Sequence, residues 1–150
     1  MKKTLLALTL ILSIMMALSC ASKAAPITTQ EELDNAFREI YQQFRGDIIL
    51  EDAETYTVVS GDTLTRIARD KYPNGYYFPL IMLASSEVVL DPDQIQPGME
   101  LTVPVLQKNL DDAKAKGKIK GFLGEIAKVY DRREGRERDA EGLRELASTL

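Results

Sequence analysis

The sequence predicts an α+β fold: two short strands pairing as an antiparallel sheet and two helices, in the order strand, helix, helix, strand. An N-terminal amphipathic helix and a C-terminal helical hairpin flank this unit. Three observations lead there. Residues 55–59 and 100–103 are short runs rich in β-branched and alternating apolar residues. Between them, Leu64, Ile67, Ala68 and Tyr72, then Phe78, Ile81, Leu83 and Ala84, recur at helical spacing. Outside them, residues 33–44 and 119–130 carry apolar stripes one helix face wide.

Residues 1–19 read as an export address. Met1-Lys2-Lys3 is a short positive start, and residues 5–18 are apolar apart from Thr9 and Ser13. Such a run makes about 21 Å of helix, short of the roughly 30 Å hydrocarbon core of a bilayer, so a secretory signal peptide is expected instead of a membrane span. Ala17-Leu18-Ser19-Cys20 resembles a bacterial lipobox, although Ala17 stands where that pattern prefers Leu. The resemblance implies lipidation of Cys20 as the first mature residue and a membrane-anchored lipoprotein facing the periplasm. Several acyl chains on one Cys hold firmly at about 0.8 kcal/mol per buried CH₂. The alternative is ordinary cleavage within residues 21–25 and a secreted or soluble periplasmic protein.

Composition narrows the chemistry. The 150 residues include no His, no Trp and one Cys, with a formal net charge of −4. There is no imidazole for a Ser-His-Asp or Cys-His nucleophile and no Cys pair for a disulfide or thiolate zinc site. From Cys20 onward, 17 basic residues face 23 acidic ones, a charge of −6. Nucleic acid is not an expected partner, because its binding rests on many Lys/Arg–phosphate contacts. Neither a cofactor nor a metal is implied, and no enzyme is expected. The carboxylate pairs Glu31/Glu32 and Asp111/Asp112 fall at expected exposed helix starts, where they complement the dipole and meet no apolar pocket.

Residues 21–27 read as a tether. Thr29 and Glu32 have capping-box spacing, and Leu33, Ala36, Phe37, Ile40, Tyr41 and Phe44 form a helix stripe that Gly46 ends. Residues 47–54 form an acidic connector carrying Ile48-Ile49-Leu50, laid on the central unit. In that unit, residues 55–104, Gly61 allows the positive φ of a tight strand-to-helix turn. Asp62 or Thr63 caps the helix that follows, and Pro97-Gly98 turns the chain into the last strand. Val58, Leu64, Ile67, Ala68, Ile81, Ile95, Leu101 and Val103 are its expected core. Because so small a core is marginal alone, the flanking helices are expected to pack on it. In the extension, residues 105–150, Gly117 is expected to divide a short helix (109–116) from a longer one. Ile119, Phe122, Leu123, Ile126, Ala127 and Tyr130 mark the longer helix, and Ala140, Leu143, Leu146, Ala147 and Leu150 a last one. With 11 basic and 9 acidic residues from 105 to 150, the Arg132–Arg138 run is expected to be a solvated turn.

The central unit resembles a LysM domain, the small peptidoglycan- and chitin-binding module. The resemblance rests on Tyr56-Thr57-Val58-Val59-Ser60-Gly61-Asp62-Thr63-Leu64 with Ile67-Ala68, on Tyr77-Phe78-Pro79-Leu80-Ile81, and on residues 91–104 from Asp91-Pro92 through Pro97-Gly98 to Pro104. It covers a third of the chain and is closest to the long-helix subgroup. It implies a shallow groove for N-acetylglucosamine units, one wall from Gly61, Asp62, Thr63 and Leu64, the other from Ser86, Glu87, Val88, Val89, Ile95 and Gln96. Departures stand out: Thr65 replaces a common Trp or other large residue, and Ser85 a common Asn. The function implied is non-catalytic binding of peptidoglycan or another N-acetylglucosamine polymer by an anchored envelope lipoprotein. The alternative is an envelope scaffold or adaptor, docking a protein partner through Phe37, Tyr41 and Phe44 and the C-terminal hairpin. A third reading, ion binding, has only Asp91 and Asp93 as ligands and lacks a dense oxygen set.

Overall fold

The computed structural model describes residues 24–150; the expected signal peptide and Cys20 lie outside the described residues. In chain order come helix α1 (Gln30–Phe44), strand β1 (Glu54–Thr57), helix α2 (Leu64–Lys71), a 3-10 turn (Gly75–Tyr77) and helix α3 (Phe78–Ala84). A second 3-10 turn (Pro92–Gln94), strand β2 (Glu100–Val103), and helices α4 (Leu106–Asp111), α5 (Ala113–Tyr130) and α6 (Glu137–Thr149) follow. β1 and β2 pair antiparallel, Glu54 opposite Val103 and Thr57 opposite Glu100. The α+β class and the strand, helix, helix, strand order are those expected.

Local chemistry explains the boundaries. Thr29 accepts the Glu32 N–H at 3.2 Å while Glu32 accepts the Thr29 N–H at 3.1 Å, a complete capping box at the start of α1. Gly61 (φ +89°) and Gly98 (φ +91°) hold left-handed conformations at the two bends of the central unit. Thr63 caps α2 by accepting the Arg66 N–H. Ser85, at the end of α3, accepts the Thr102 N–H at 2.9 Å and donates to the Thr102 carbonyl, tying that helix to β2.

The core runs continuously from the central unit into its flanks. Val58, Leu64, Ile67, Ala68, Ile81, Leu101 and Val103 are buried, whereas Ile95 is only half-buried. The stripe of α1 is buried as well: the Tyr41 and Phe44 rings each lie 5.7 Å from the ring of Phe122 on α5. Phe78 of α3 stacks at 6.4 Å on Tyr130 at the end of α5. The helices approach so closely that a Cβ on Gly121 would lie 2.6 Å from the Phe44 ring. At about 1.5–3 kcal/mol per buried large apolar side chain, these flanks supply much of what holds the small sheet. Phe37, Tyr41 and Phe44 are therefore interior residues and present no docking surface.

One boundary differs from expectation. No helix ends at Gly117. The break falls at Asp112, whose side chain accepts the Ala115 N–H at 2.8 Å, and α5 runs on through Gly117. A glycine on an exposed face costs about 1 kcal/mol, which the burial of Ala115, Ile119 and Phe122 outweighs. Asn109, expected to begin a helix, instead sits fully buried inside α4. Its amide accepts the Ile49 N–H at 2.8 Å and donates to the carbonyls of Ile49 (2.9 Å) and Val105 (3.1 Å). It thus fastens the connector to the extension. Truncation leaves those groups unpaired away from water, so Asn109→Ala is expected to cost about 2 kcal/mol, read as a lower urea midpoint at unchanged slope.

Candidate functional site

The first bend is built around one carboxylate. Asp62 accepts the Val59 N–H at 2.9 Å and the Tyr56 hydroxyl at 2.8 Å. Those bonds, the backbone one foremost, hold its pKa below the usual carboxylate range, and the same contact raises the Tyr56 phenol. With the carboxylate so engaged, Ser60, Gly61 and Thr63 stand exposed around it. Val59, which the sequence reading passed over, exposes 56% of its surface at this bend. Strand alternation was its signal, since Val58 points inward.

The loop between α3 and the Gly98 bend is held from outside the central unit. The buried Tyr41 hydroxyl of α1 donates to the Val89 carbonyl at 2.8 Å, and burial, with the Asp91 carboxylate nearby, pushes that phenol well above its ordinary value. The Asp91 side chain accepts the Asp93 N–H at 2.9 Å and the Gln30 amide at 3.0 Å. Asp93 is gripped by Arg133, at 3.1 Å, and by Arg136. The run from Arg132 to Arg138 is therefore not a purely solvated turn. Arg133 and Arg136 are docked on the central unit, and Arg132 donates to the Ala25 carbonyl at 2.7 Å. No local pattern could have shown this, because the receiving carboxylate lies 40 residues upstream.

The expected site residues are distributed unevenly. Val88, Val89, Ile95 and Gln96 share a cavity of about 190 Å³ with Met99, Gln94 and Asp34. Thr63 and Leu64 line a different crevice, with Thr65, Phe78, Pro92, Asp93, Tyr130, Arg136 and Asp139. That crevice holds only about 30 Å³, room for a water molecule. Gly61, Asp62, Ser86 and Glu87 line neither. Leu64 and Val89 are each 2% exposed and support the walls from the core, whereas Val88 exposes 49% and Glu87 pairs with Arg45 at 2.6 Å. Tyr130 and Arg136 were missed by the sequence reading, which offered no signal for bringing a distant hairpin to these loops. Burial by itself would lower the Arg136 guanidinium, but Asp93 and Asp139 hold it above its usual value. Its carbon lies 5.2 Å from the centre of the Tyr130 ring.

Among the described residues no group of three or more His, Cys, Asp or Glu is placed to hold a metal ion, and no helix is long and apolar enough to cross a membrane.

A family model described as "LysM domain" matches residues 56–104. The chain is also similar to a protein named "Potassium binding protein Kbp" from Escherichia coli O6:H1, 38% identical over 52 residues. That match takes in 35% of this chain and 35% of the relative, so the chain spans about a third of that protein's length. No solved structure matches the chain.

Because the Asp62 pKa is depressed, its hold on the bend is complete above the ordinary aspartate value of about 3.9 and is lost as pH falls through the lower native value. The Val59 amide resonance is expected to move over that acid range, and Asp62→Asn to abolish the titration.

Proposed function

Given that residues 56–104 are a LysM domain, we propose that the protein is a non-catalytic receptor for N-acetylglucosamine glycans, peptidoglycan foremost, anchored in the cell envelope through lipid on Cys20. The observation that supports it most is that the family match includes both bends, Gly61 and Gly98 each in the left-handed conformation. LysM domains generally bind such glycans. An uncharged amino-sugar strand asks for directed hydrogen bonds and small apolar faces. Exposed backbone around Gly61 and Gln96, with the exposed side chains of Val59 and Val88, provides both. Single-site affinity is expected to be weak without a Trp to stack on the sugar, and many anchored copies on one polymer offset this by avidity.

Two further points favour this reading over others. The relative's name ascribes potassium binding to it, but here Asp91 and Asp93 are engaged by Gln30 and by two arginines. As for catalysis, Glu32 and Asp112, which would have to act within carboxylate pairs, are spent on helix caps. The localisation rests on the lipobox-like Ala17-Leu18-Ser19-Cys20 alone.

The protein from Cys20 onward is expected to co-sediment with purified peptidoglycan sacculi. Recovery in the pellet no greater than for an unrelated acidic protein overturns the glycan reading. Mass spectrometry of the native N-terminus tests the anchor separately: an acylated Cys20 supports it, and an unmodified terminus beyond residue 20 refutes it.

A further inference from the structure

The crevice between the start of α2 and the second 3-10 turn is filled from outside the LysM stretch. Thr63, Leu64 and Thr65 form one side and Pro92 and Asp93 the other; Tyr130 and Arg136 stand between them. Arg136 binds Asp93 and donates to Asp139 at 2.8 Å, and Arg133 binds the same Asp93 oxygen at 3.1 Å. Both guanidiniums rest over the Tyr130 ring, at 5.8 Å and 5.2 Å, while Phe78 stacks on that ring as well. What remains is about 30 Å³, against roughly 300–1,000 Å³ for sites that enclose small ligands. No pyranose fits there while the arginines stay.

We infer that Arg136 is a built-in plug: held by Asp93, which Arg133 also grips from outside the crevice, it closes the space between these two loops, and a glycan entering it must displace it from Asp93 and from the Tyr130 ring. The inference rests on the glycan-binding reading above and concerns a further subsite of that surface, entered beside Thr63 and Thr65. Two features make the plug movable, and a third gives its movement a use. The hairpin itself is fastened elsewhere, through the buried Leu143 and Leu146 and through Gly142, where a Cβ would collide with the Tyr76 ring. The arginines therefore need only swing as side chains, without unfolding α5 or α6. Their side chains keep 22% and 29% of their surface in water, so solvent already reaches the guanidiniums and can hydrate them as they leave Asp93. And withdrawal uncovers the side of the Tyr130 ring that the guanidiniums cover, giving a module without Trp an aromatic surface to lay against a sugar. A site open only part of the time binds more weakly in proportion to its open fraction, so a neutral glycan and the guanidinium held by Asp93 compete for one place.

The test titrates the protein from Cys20 onward with the β-1,4-linked N-acetylglucosamine tetramer, following amide resonances. Wild type is compared with Arg133→Gln/Arg136→Gln, which removes the plug's charge, and with Asp93→Asn, which releases it from the opposite side without touching the hairpin. A native thermal transition confirms that each variant is folded. Tightening of the apparent Kd by about tenfold in both variants, with shifts at Thr63 and Thr65, supports the plug. An unchanged or weaker Kd in folded variants overturns it while leaving the glycan reading intact. No binding by wild type or by either variant overturns the glycan reading, and the plug with it. Raising NaCl supplies a check without mutation: the ligand is neutral, so wild-type affinity is expected to rise with salt if ion pairs close the site, and constant affinity counts against it.

Discussion

Two strands of four residues each cannot shelter the helices that connect them, and everything else in this protein answers that shortage. The remedy is α5. Its Phe122 meets the rings of α1, its Tyr130 meets Phe78 of α3, and its Ile119, Leu123 and Ile126 complete a single apolar interior. Fraction of surface buried rises with chain length, so a unit of about fifty residues gains most from neighbours that share its core. The flanking helices are for this reason part of the fold's stability, not ornaments on a self-sufficient module.

The same dependence reaches the loops. The loop from Val89 to Asp93 takes its shape from groups outside the LysM stretch: the Tyr41 hydroxyl on the Val89 carbonyl, the Gln30 amide on Asp91, and the two arginines on Asp93. The two glycine bends are self-contained: the Asp62 carboxylate collects a backbone N–H and a phenol from within nine residues of sequence, and the Gly98 N–H donates to the Val58 carbonyl at 2.9 Å. One wall is thus set by local chemistry and the other by packing. Alterations in α1 or the hairpin turn therefore bear directly on the loop from Val89 to Asp93.

Charge takes a restricted part in this arrangement. With acids in modest excess and most ion pairs lying in water, surface electrostatics contribute little to stability. The exception is the group of Asp93, Asp139, Arg133 and Arg136 around Tyr130, where partly buried charges meet an aromatic ring between two loops. It is the one place where charge, packing and the candidate groove coincide.

Much of the fold was legible in the chain. Short-range physics specified the capping box at Thr29 and Glu32, the glycine bends at 61 and 98, the register-setting alternation of 100–103 and the stripes of α1 and α5, because each depends on groups within a few residues of one another. Linked motifs in the right order pointed by the same logic to the LysM match over residues 56–104. What sequence alone left undetermined depends on encounters across long stretches of chain. That Asn109 would bury its amide against Ile49, that Asp112 would displace Gly117 as the helix boundary, and that Arg136 would reach Asp93 are outcomes of which surfaces close on which. Periodicity tells that a face is apolar but not what covers it. A run of arginines looks solvated until the tertiary structure brings a carboxylate within reach. The bends at Gly61 and Gly98 could be read from the chain, whereas the near closure of the crevice beside Thr63 was decided only when the hairpin folded back upon it.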